Sequence, residues 1–264
     1  MKAHYAKLNG LELYYEIYGE GEPLILLHGG LGSTAMVAPI VPELSKDRQV
    51  IAVDLQAHGR TADTDRPLRL EYLADDISKL IIHLGFEKVD LMGYSLGGLV
   101  SLCTATLYPE QLRNLILVSV PCRRTGWYPE VLEGMSQVNA QAAEGMKPSP
   151  IYKTYAEVAP KPEDWPNLLE KTGDMLRQDY DFTQHVSTLT MPVLLIYGDV
   201  DSIPVSHMAE FYSLLGGSQK DAGWDHAYMP RSQLAILPGT SHYNSFMSPH
   251  LVDFVHKFLA KDRS

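Results

Sequence analysis

The stretch Val89-Asp90-Leu91-Met92-Gly93-Tyr94-Ser95-Leu96-Gly97 joins a short apolar run to a segment with helical character. Val89–Met92 predicts a buried strand, and the apolar residues that follow Gly97 predict a helix. Ser95 therefore lies in the turn between them, with a glycine two residues before it and two after it. Glycines there remove side chains that would collide in a sharp turn. Such a turn holds a serine hydroxyl above the sheet, beside the backbone N–H groups of a helix N-terminus.

Similar apolar runs recur along the chain at spacings that leave room for a helix between them. They are Leu24–Leu27, Val50–Val53, Leu115–Val120, Val193–Tyr197 and Leu234–Leu237. Continuous rather than alternating apolar runs indicate strands covered on both faces, as in a parallel sheet. Two further strands, His4–Leu8 and Leu11–Tyr18, are joined by Asn9-Gly10, a preferred hairpin turn. The sequence predicts a mostly parallel, eight-stranded, doubly wound α/β sheet.

The segments between the runs show helical periodicity, most clearly over about 70–84, where a helix is expected to end at Gly85. Residues 122–190 break the alternation, because they contain no convincing strand and are rich in Tyr, Trp, Met and Pro. This segment, called the insertion below, connects two consecutive core strands. We therefore predict a core domain formed by residues 1–121 and 191–264, with the insertion lying as a helical cap over the carboxyl edge of the sheet.

The loop after the predicted strand Leu24–Leu27 is rich in glycine and reads His28-Gly29-Gly30. A glycine-rich loop at the end of a strand can turn a backbone N–H towards a reacting oxygen. We expect the N–H groups of Gly30 and Leu96 to form a pair of oxyanion donors. A plain tight turn is the alternative for the glycines, and His28 is expected to support the loop through hydrogen bonds.

Two later loops offer an acid and a base at the same edge of the sheet. Asp199 and Asp201 follow Val193–Tyr197, and at least one of them is expected only to shape the turn. His242 follows Leu234–Leu237, so it can reach back over the strand ends towards Ser95. A serine needs such a base before it can attack a carbonyl carbon.

Charge and composition exclude several other classes of function. The chain has 264 residues, with 22 Lys and Arg against 32 Asp and Glu, a formal net charge of −10. An acidic surface repels phosphate backbones and anionic lipid, so neither nucleic acid nor membrane is the expected partner. We expect Cys103 and Cys122 to be buried free thiols in the cytoplasm, and we expect no signal peptide or membrane span. The histidines form no ligand cluster by spacing, so neither a metal nor another cofactor is expected.

These motifs, in this order, resemble the α/β-hydrolase superfamily, and the resemblance covers nearly the whole chain. It includes Asp54-Leu55-Gln56-Ala57-His58-Gly59-Arg60-Thr61, in which Ala57 stands where the family commonly has glycine. The resemblance implies that Ser95 is the nucleophile, His242 the base and Asp201, rather than Asp199, the acid. Within the superfamily, the chain looks like the capped esterases and lactonases. Family members with an aspartate nucleophile, the haloalkane dehalogenases and epoxide hydrolases, are disfavoured by the serine at position 95.

The sequence therefore predicts a serine hydrolase that acts on small or medium acyl esters or lactones, of unknown oligomeric state. Expected substrate contacts are Leu31, Trp127, Tyr128, Tyr152, Tyr155 and Tyr243. Packing of the insertion's own small core is the alternative for each of its aromatic residues. Alternative functions are hydrolysis of a C–C bond or an amide on the same residues, a perhydrolase or haloperoxidase activity, and a slow-turnover ligand receptor. An acid after the preceding core strand is a further alternative, although no carboxylate follows that strand until Glu130.

Overall fold

The computed structural model describes residues 1–260. Eight strands within this range form a single sheet. The strands are β1 Lys2–Leu8, β2 Leu11–Tyr18, β3 Glu22–Leu27, β4 Arg48–Val53, β5 Val89–Tyr94, β6 Leu112–Val118, β7 Val193–Val200 and β8 Gln233–Ser241. Their order across the sheet is β1-β2-β4-β3-β5-β6-β7-β8. Strand β2 pairs antiparallel with β1 and β4, and the other neighbouring strands are parallel. The predicted mostly parallel sheet is confirmed.

Helices cover both faces of the sheet. They are α1 Thr34–Val37, α2 Val41–Leu44, α3 Leu70–His83, α4 Leu96–Leu107, α5 Pro129–Ser136, α6 Ala143–Met146, α7 Pro150–Val158, α8 Trp165–Arg177, α9 Thr183–Val186, α10 Val205–Leu214 and α11 His250–Ala260. Apolar side chains of α1, α2 and α11 pack on one face, and those of α3, α4 and α10 pack on the other. Ile25 and Leu27 of β3 join one cluster, whereas Leu24 and Leu26 join the opposite one. Burial on both sides explains why β3 is an unbroken apolar run.

Most elements lie within a few residues of their predicted bounds, but β7 and β8 extend further than expected. Gly198–Val200 and Pro238–Ser241 were expected to be loops, whereas the two strands continue to Val200 and Ser241. The strands pair again at Val200 and Ser241 after an irregularity in register. Gly198 permits this extension because a Cβ atom there would collide with the carbonyl of Thr240.

The insertion contains helices α5 to α9, as its lack of strand patterns predicts. Its first and last segments run side by side, because the N–H of Arg124 donates to the carbonyl of Tyr180 over 2.9 Å. Helix α8 is held to the core by Lys171, whose ammonium group lies 2.7 Å from Asp63 Oδ2. Among residues 1–260, no helix combines the length and the apolar character needed to cross a bilayer.

Candidate active site

Ser95 lies between β5 and α4 with a backbone conformation that side chains rarely adopt (φ 51°, ψ −114°). Positive φ at a residue with a Cβ atom stores strain, and such strain collects at functional sites. The turn is tight enough that a Cβ atom on Gly93 would collide with the carbonyl of Gly97, and one on Gly97 with the carbonyl of His28. Both motif glycines are therefore required by close backbone approach.

His242 stands between Ser95 and Asp201. Its Nε2 atom lies 3.1 Å from Ser95 Oγ, and its Nδ1 atom lies 3.0 Å from Asp201 Oδ1. When the Nδ1–H group donates to the carboxylate, Nε2 is left to accept the proton of the serine hydroxyl. These three side chains, which are far apart in the sequence, form one hydrogen-bonded chain over the ends of three strands.

Asp201 is buried and has several donors around its carboxylate. Ser119 Oγ donates to Oδ2 over 2.6 Å, the N–H of Gly198 donates to Oδ2 over 3.1 Å, and the N–H of Ser202 donates to Oδ1 over 2.7 Å. Burial by itself raises the pKa of Asp201, but the hydrogen bonds with His242, Ser119 and Gly198 outweigh it and leave the pKa below its usual value. The ionised form is thus favoured at the place where it can stabilise an imidazolium.

Ser119 was not identified from the sequence. It directly follows β6, the strand next to β5, and has positive φ (56°). The available signal was a small polar residue at the carboxyl end of a core strand. The segment after β6 is also the place of the alternative acid, and Glu130 is the first carboxylate in it. The structure places Glu130 in helix α5 and Asp201 beside His242.

Asp199 has a different environment from Asp201. It is exposed, and its Oδ1 atom accepts the N–H of Thr240 over 3.1 Å. Backbone hydrogen bonds from Gly239 and Thr240 hold the pKa of this carboxyl below its usual value. Asp199 therefore joins the extended ends of β7 and β8.

The position of His242 is fixed by both local and distant contacts. It begins a short 3-10 helix, His242–Met247, which is capped by the Ser241 hydroxyl and the Asn244 amide oxygen. The Tyr94 hydroxyl donates to the backbone carbonyl of His242 over 2.6 Å, and their rings lie 5.3 Å apart. The indole of Trp127 packs edge-on against the imidazole at 5.4 Å. Tyr94 lies within the motif around Ser95, but only the fold brings its hydroxyl to His242.

The loop after β3 brings Gly30 next to the start of α4. A Cβ atom on Gly30 would lie 3.8 Å from Leu96 Cβ. The N–H of Leu96 belongs to the first turn of its helix, where N–H groups have no partner within the helix. His28 supports the loop, since its Nδ1 lies 2.7 Å from the Gly29 carbonyl and its Nε2 lies 3.1 Å from the N–H of Leu55. Burial lowers the pKa of His28 to about 3, which keeps it neutral.

A cavity of about 440 Å³ opens over Ser95 and His242 and lies between the core and the insertion. Of the expected substrate contacts, Leu31, Trp127 and Tyr243 line it. Tyr152 and Tyr155 do not, because they pack against the buried indole of Trp165, with ring centroids 5.3 Å and 5.1 Å apart. Tyr128 also lies outside the lining and is partly exposed. Tyr152 and Tyr155 therefore pack within the insertion, which was the alternative for its aromatic residues, whereas Tyr128 lies at its surface.

Other clusters of reactive side chains are buried away from this cavity. Cys122 Sγ lies 3.6 Å from His207 Nε2, but burial raises the pKa of this thiol to about 11. The N–H of Cys122 also points at the same imidazole nitrogen, so His207 supports the start of the insertion. Within residues 1–260, no group of three or more His, Cys, Asp or Glu side chains is arranged to hold a metal ion.

Comparisons with known proteins agree with this fold. The model of the α/β-hydrolase fold family matches residues 22–223, which is more than half of the chain. The chain belongs to this family. Ala57 has positive φ (65°), a backbone conformation that glycine adopts more readily than alanine.

Several relatives in the family are named as hydrolases. The chain is 29% identical to the pimeloyl-[acyl-carrier protein] methyl ester esterase of Aliivibrio salmonicida over 94% of this chain and 95% of the relative. It is 28% identical to the mouse serine hydrolase BPHL over 77% of this chain and 72% of that protein. Among solved structures, an esterase from Thermogutta terrifontis is 26% identical with a TM-score of 0.73, covering 99% of this chain and 98% of that one. These relatives support the assignment of the chain as a hydrolase.

Proposed function

We propose that this protein hydrolyses carboxylic esters, including lactones, of small or medium acyl groups through a covalent acyl-serine intermediate. The observation that carries the proposal is the continuous chain Ser95–His242–Asp201, with contacts of 3.1 Å and 3.0 Å. Both contacts are within the reach that proton transfer requires. The serine hydrolases and esterases among its relatives support the same reaction class.

In the proposed reaction, Ser95 Oγ attacks the ester carbonyl while His242 Nε2 takes its proton. The negative charge that develops on the carbonyl oxygen is stabilised by the N–H groups of Leu96 and Gly30. His242 then protonates the leaving alcohol, and Asp201 stabilises the imidazolium that forms in between. Water, activated by the same imidazole, releases the acid from Ser95. The low pKa of Asp201 supports its role as a carboxylate that stays ionised throughout.

We propose further that residues 122–190 act as a cap on a core formed by residues 1–121 and 191–264. The cavity supports this division, because residues of the core such as Leu31 and residues of the insertion such as Trp127 line it together. Leu31, Trp127 and Tyr243 are proposed as substrate contacts close to the nucleophile.

The test is hydrolysis of a panel of p-nitrophenyl esters, lactones and amides by the wild-type protein and by Ser95→Ala. We expect ester turnover by the wild type and loss of almost all turnover in the variant. A fluorophosphonate probe should label Ser95 in the wild type and leave Ser95→Ala unlabelled. Preferential cleavage of amides would replace the ester assignment with an amidase. A β-diketone added to the panel tests the C–C alternative, because its hydrolysis releases an acid and a ketone but no alcohol. Labelling that persists without Ser95 would contradict the proposed nucleophile.

A further inference from the structure

One cation lines this largely apolar cavity. Arg124 is the only Lys, Arg, Asp or Glu side chain among the described residues of the lining. Its Nε–H donates to the carbonyl of Leu176 over 3.2 Å. The nearest carboxylate oxygen, on the highly exposed Asp179, lies 4.0 Å away, beyond hydrogen-bond distance. The guanidinium therefore has donors to spare at a site where its side chain is only 22% exposed.

A second polar side chain lines the same cavity, although its oxygen is turned away from the cavity space. The side-chain oxygen of Thr172 is buried and makes no hydrogen bond to any residue that the structure describes. Thr172 lies in α8, one helical turn before Leu176, the residue that accepts from Arg124. A buried hydroxyl without a partner costs free energy, so a polar ligand group that draws the Thr172 side chain round its χ1 bond towards the cavity would supply the missing partner.

Tyr180 supplies a third unused donor. Its hydroxyl accepts the indole N–H of Trp127 over 2.7 Å, which leaves the hydroxyl proton for another acceptor. Burial raises the pKa of Tyr180, so the group stays protonated. Tyr180 also lies beside Arg124, because the N–H of Arg124 donates to its backbone carbonyl.

We propose that Arg124, Thr172 and Tyr180 form a subsite for an anionic group of the substrate, and that the preferred esters carry a carboxylate at the end of the acyl chain. This proposal rests on the proposed ester hydrolysis. The guanidinium binds a carboxylate through paired hydrogen bonds. The hydroxyl of Tyr180, and that of Thr172 once its side chain has turned, complete the shell. Trp127 lies between the subsite and the catalytic residues, since its ring contacts His242 and its N–H contacts Tyr180. The acyl chain must therefore pass this indole, which excludes the shortest diacids.

The test compares monomethyl esters of dicarboxylic acids, from succinate to sebacate, with the dimethyl ester of each acid. For the wild type we expect a higher kcat/KM for the monoester at an intermediate chain length. Hydrogen bonds to a charged group predict a preference of about 10-fold to 100-fold. Arg124→Gln should abolish this preference and leave kcat/KM for the dimethyl ester within about 3-fold of wild type.

Two further variants separate substrate binding from a structural role. Thr172→Val should lower the monoester preference by about 3-fold to 10-fold while the melting temperature stays the same or rises, because a buried hydroxyl without a partner is removed. Arg123→Gln is the matched charge control. Arg123 is paired with Glu210 by hydrogen bonds of 2.6 Å and 2.7 Å and lies outside the cavity lining, so the preference should be unchanged.

The proposal is overturned if Arg124→Gln lowers turnover of monoester and diester equally, or if Arg123→Gln removes the preference to the same extent. A direct binding measurement keeps this question separate from catalysis. Free dicarboxylates should raise the melting temperature of Ser95→Ala, and adding Arg124→Gln should remove the rise. If the wild type hydrolyses neither kind of ester but this binding remains, the ester assignment fails and the anion subsite stands.

Discussion

Replacing Asp201 with Asn distinguishes the two aspartates at the end of β7 and tests the hydrogen-bonded chain at its most buried point. The carboxylate accepts four hydrogen bonds, from His242, Ser119, Gly198 and Ser202. An amide has one acceptor oxygen and one donor NH2 group, so it cannot satisfy both sides of the site. If the amide oxygen faces Gly198 and Ser119, the NH2 group faces His242.

In that arrangement the NH2 group donates to His242 Nδ1, and the ring proton moves to Nε2. The Nε2–H group then points at Ser95 Oγ, where it cannot accept the hydroxyl proton. By analogy with the serine-protease triad, the loss in kcat is about 10⁴-fold, or about 5 kcal/mol of transition-state stabilisation. This orientation also sets the NH2 group against the Ser202 N–H. The reversed amide would keep the Nδ1–H bond but set its NH2 group against the Gly198 N–H, so each orientation leaves two donors facing each other.

Asp199→Asn is the matched control, because it makes the same chemical change two residues away. The amide oxygen can still accept the Thr240 N–H that Asp199 accepts over 3.1 Å, so kcat should stay within about 2-fold of wild type. The assay is steady-state hydrolysis of a p-nitrophenyl ester, with circular dichroism to confirm folding of each variant. A loss in Asp199→Asn equal to the one expected here, together with an active Asp201→Asn, would refute the choice of acid.

Three further perturbations test the scaffold and its charges. Asp90→Ala should lower the free energy of unfolding in urea by about 3–5 kcal/mol, because Arg48, 2.7 Å away and almost fully buried, loses its counter-ion; a loss below about 1 kcal/mol would contradict this. Gly97→Ala should reduce kcat/KM by about 100-fold or more, since the new Cβ atom meets the carbonyl of His28 and displaces the turn; unchanged kinetics would contradict the close packing seen there. Burial raises the pKa of Asp54 to about 6, so the stability that protonated Asp54 contributes is complete below about pH 4 and is lost as the pH rises through 6. Asp54→Asn should remove this part of the pH dependence of the free energy of unfolding. Equal slopes of that free energy against pH in the two proteins would refute it.

The sequence by itself determined the architecture and the position of Ser95, the proposed nucleophile. Unbroken apolar runs such as Leu24–Leu27 require burial on both faces, and Gly85 stands just past the last turn of α3 with positive φ. The position of Ser95 is also encoded locally, because its turn depends only on Gly93, Gly97 and the strand and helix on either side. Such features are encoded over a few residues, so the sequence carries them directly.

Residues that meet across the molecule required the tertiary structure. The loop containing Asp199 and Asp201 offered two carboxylates, and only the pairing of β7 with β8 turns one towards His242 and the other towards Thr240. The aromatic residues of the insertion had similar sequence surroundings. The fold directs Trp127 to the cavity and places Tyr152 on Trp165 instead.

Ser119 and Thr172 show the same limit for polar residues. The sequence does show Thr172 as a hydroxyl residue on the face of α8 that also carries Leu169 and Met175. Its lack of a hydrogen-bond partner, however, depends on which groups the folded chain brings near it. Arg124 enters the cavity because the two ends of the insertion pair there. Periodicity records which face of a helix or strand is buried, whereas partners at long sequence separation are set by packing of the whole chain.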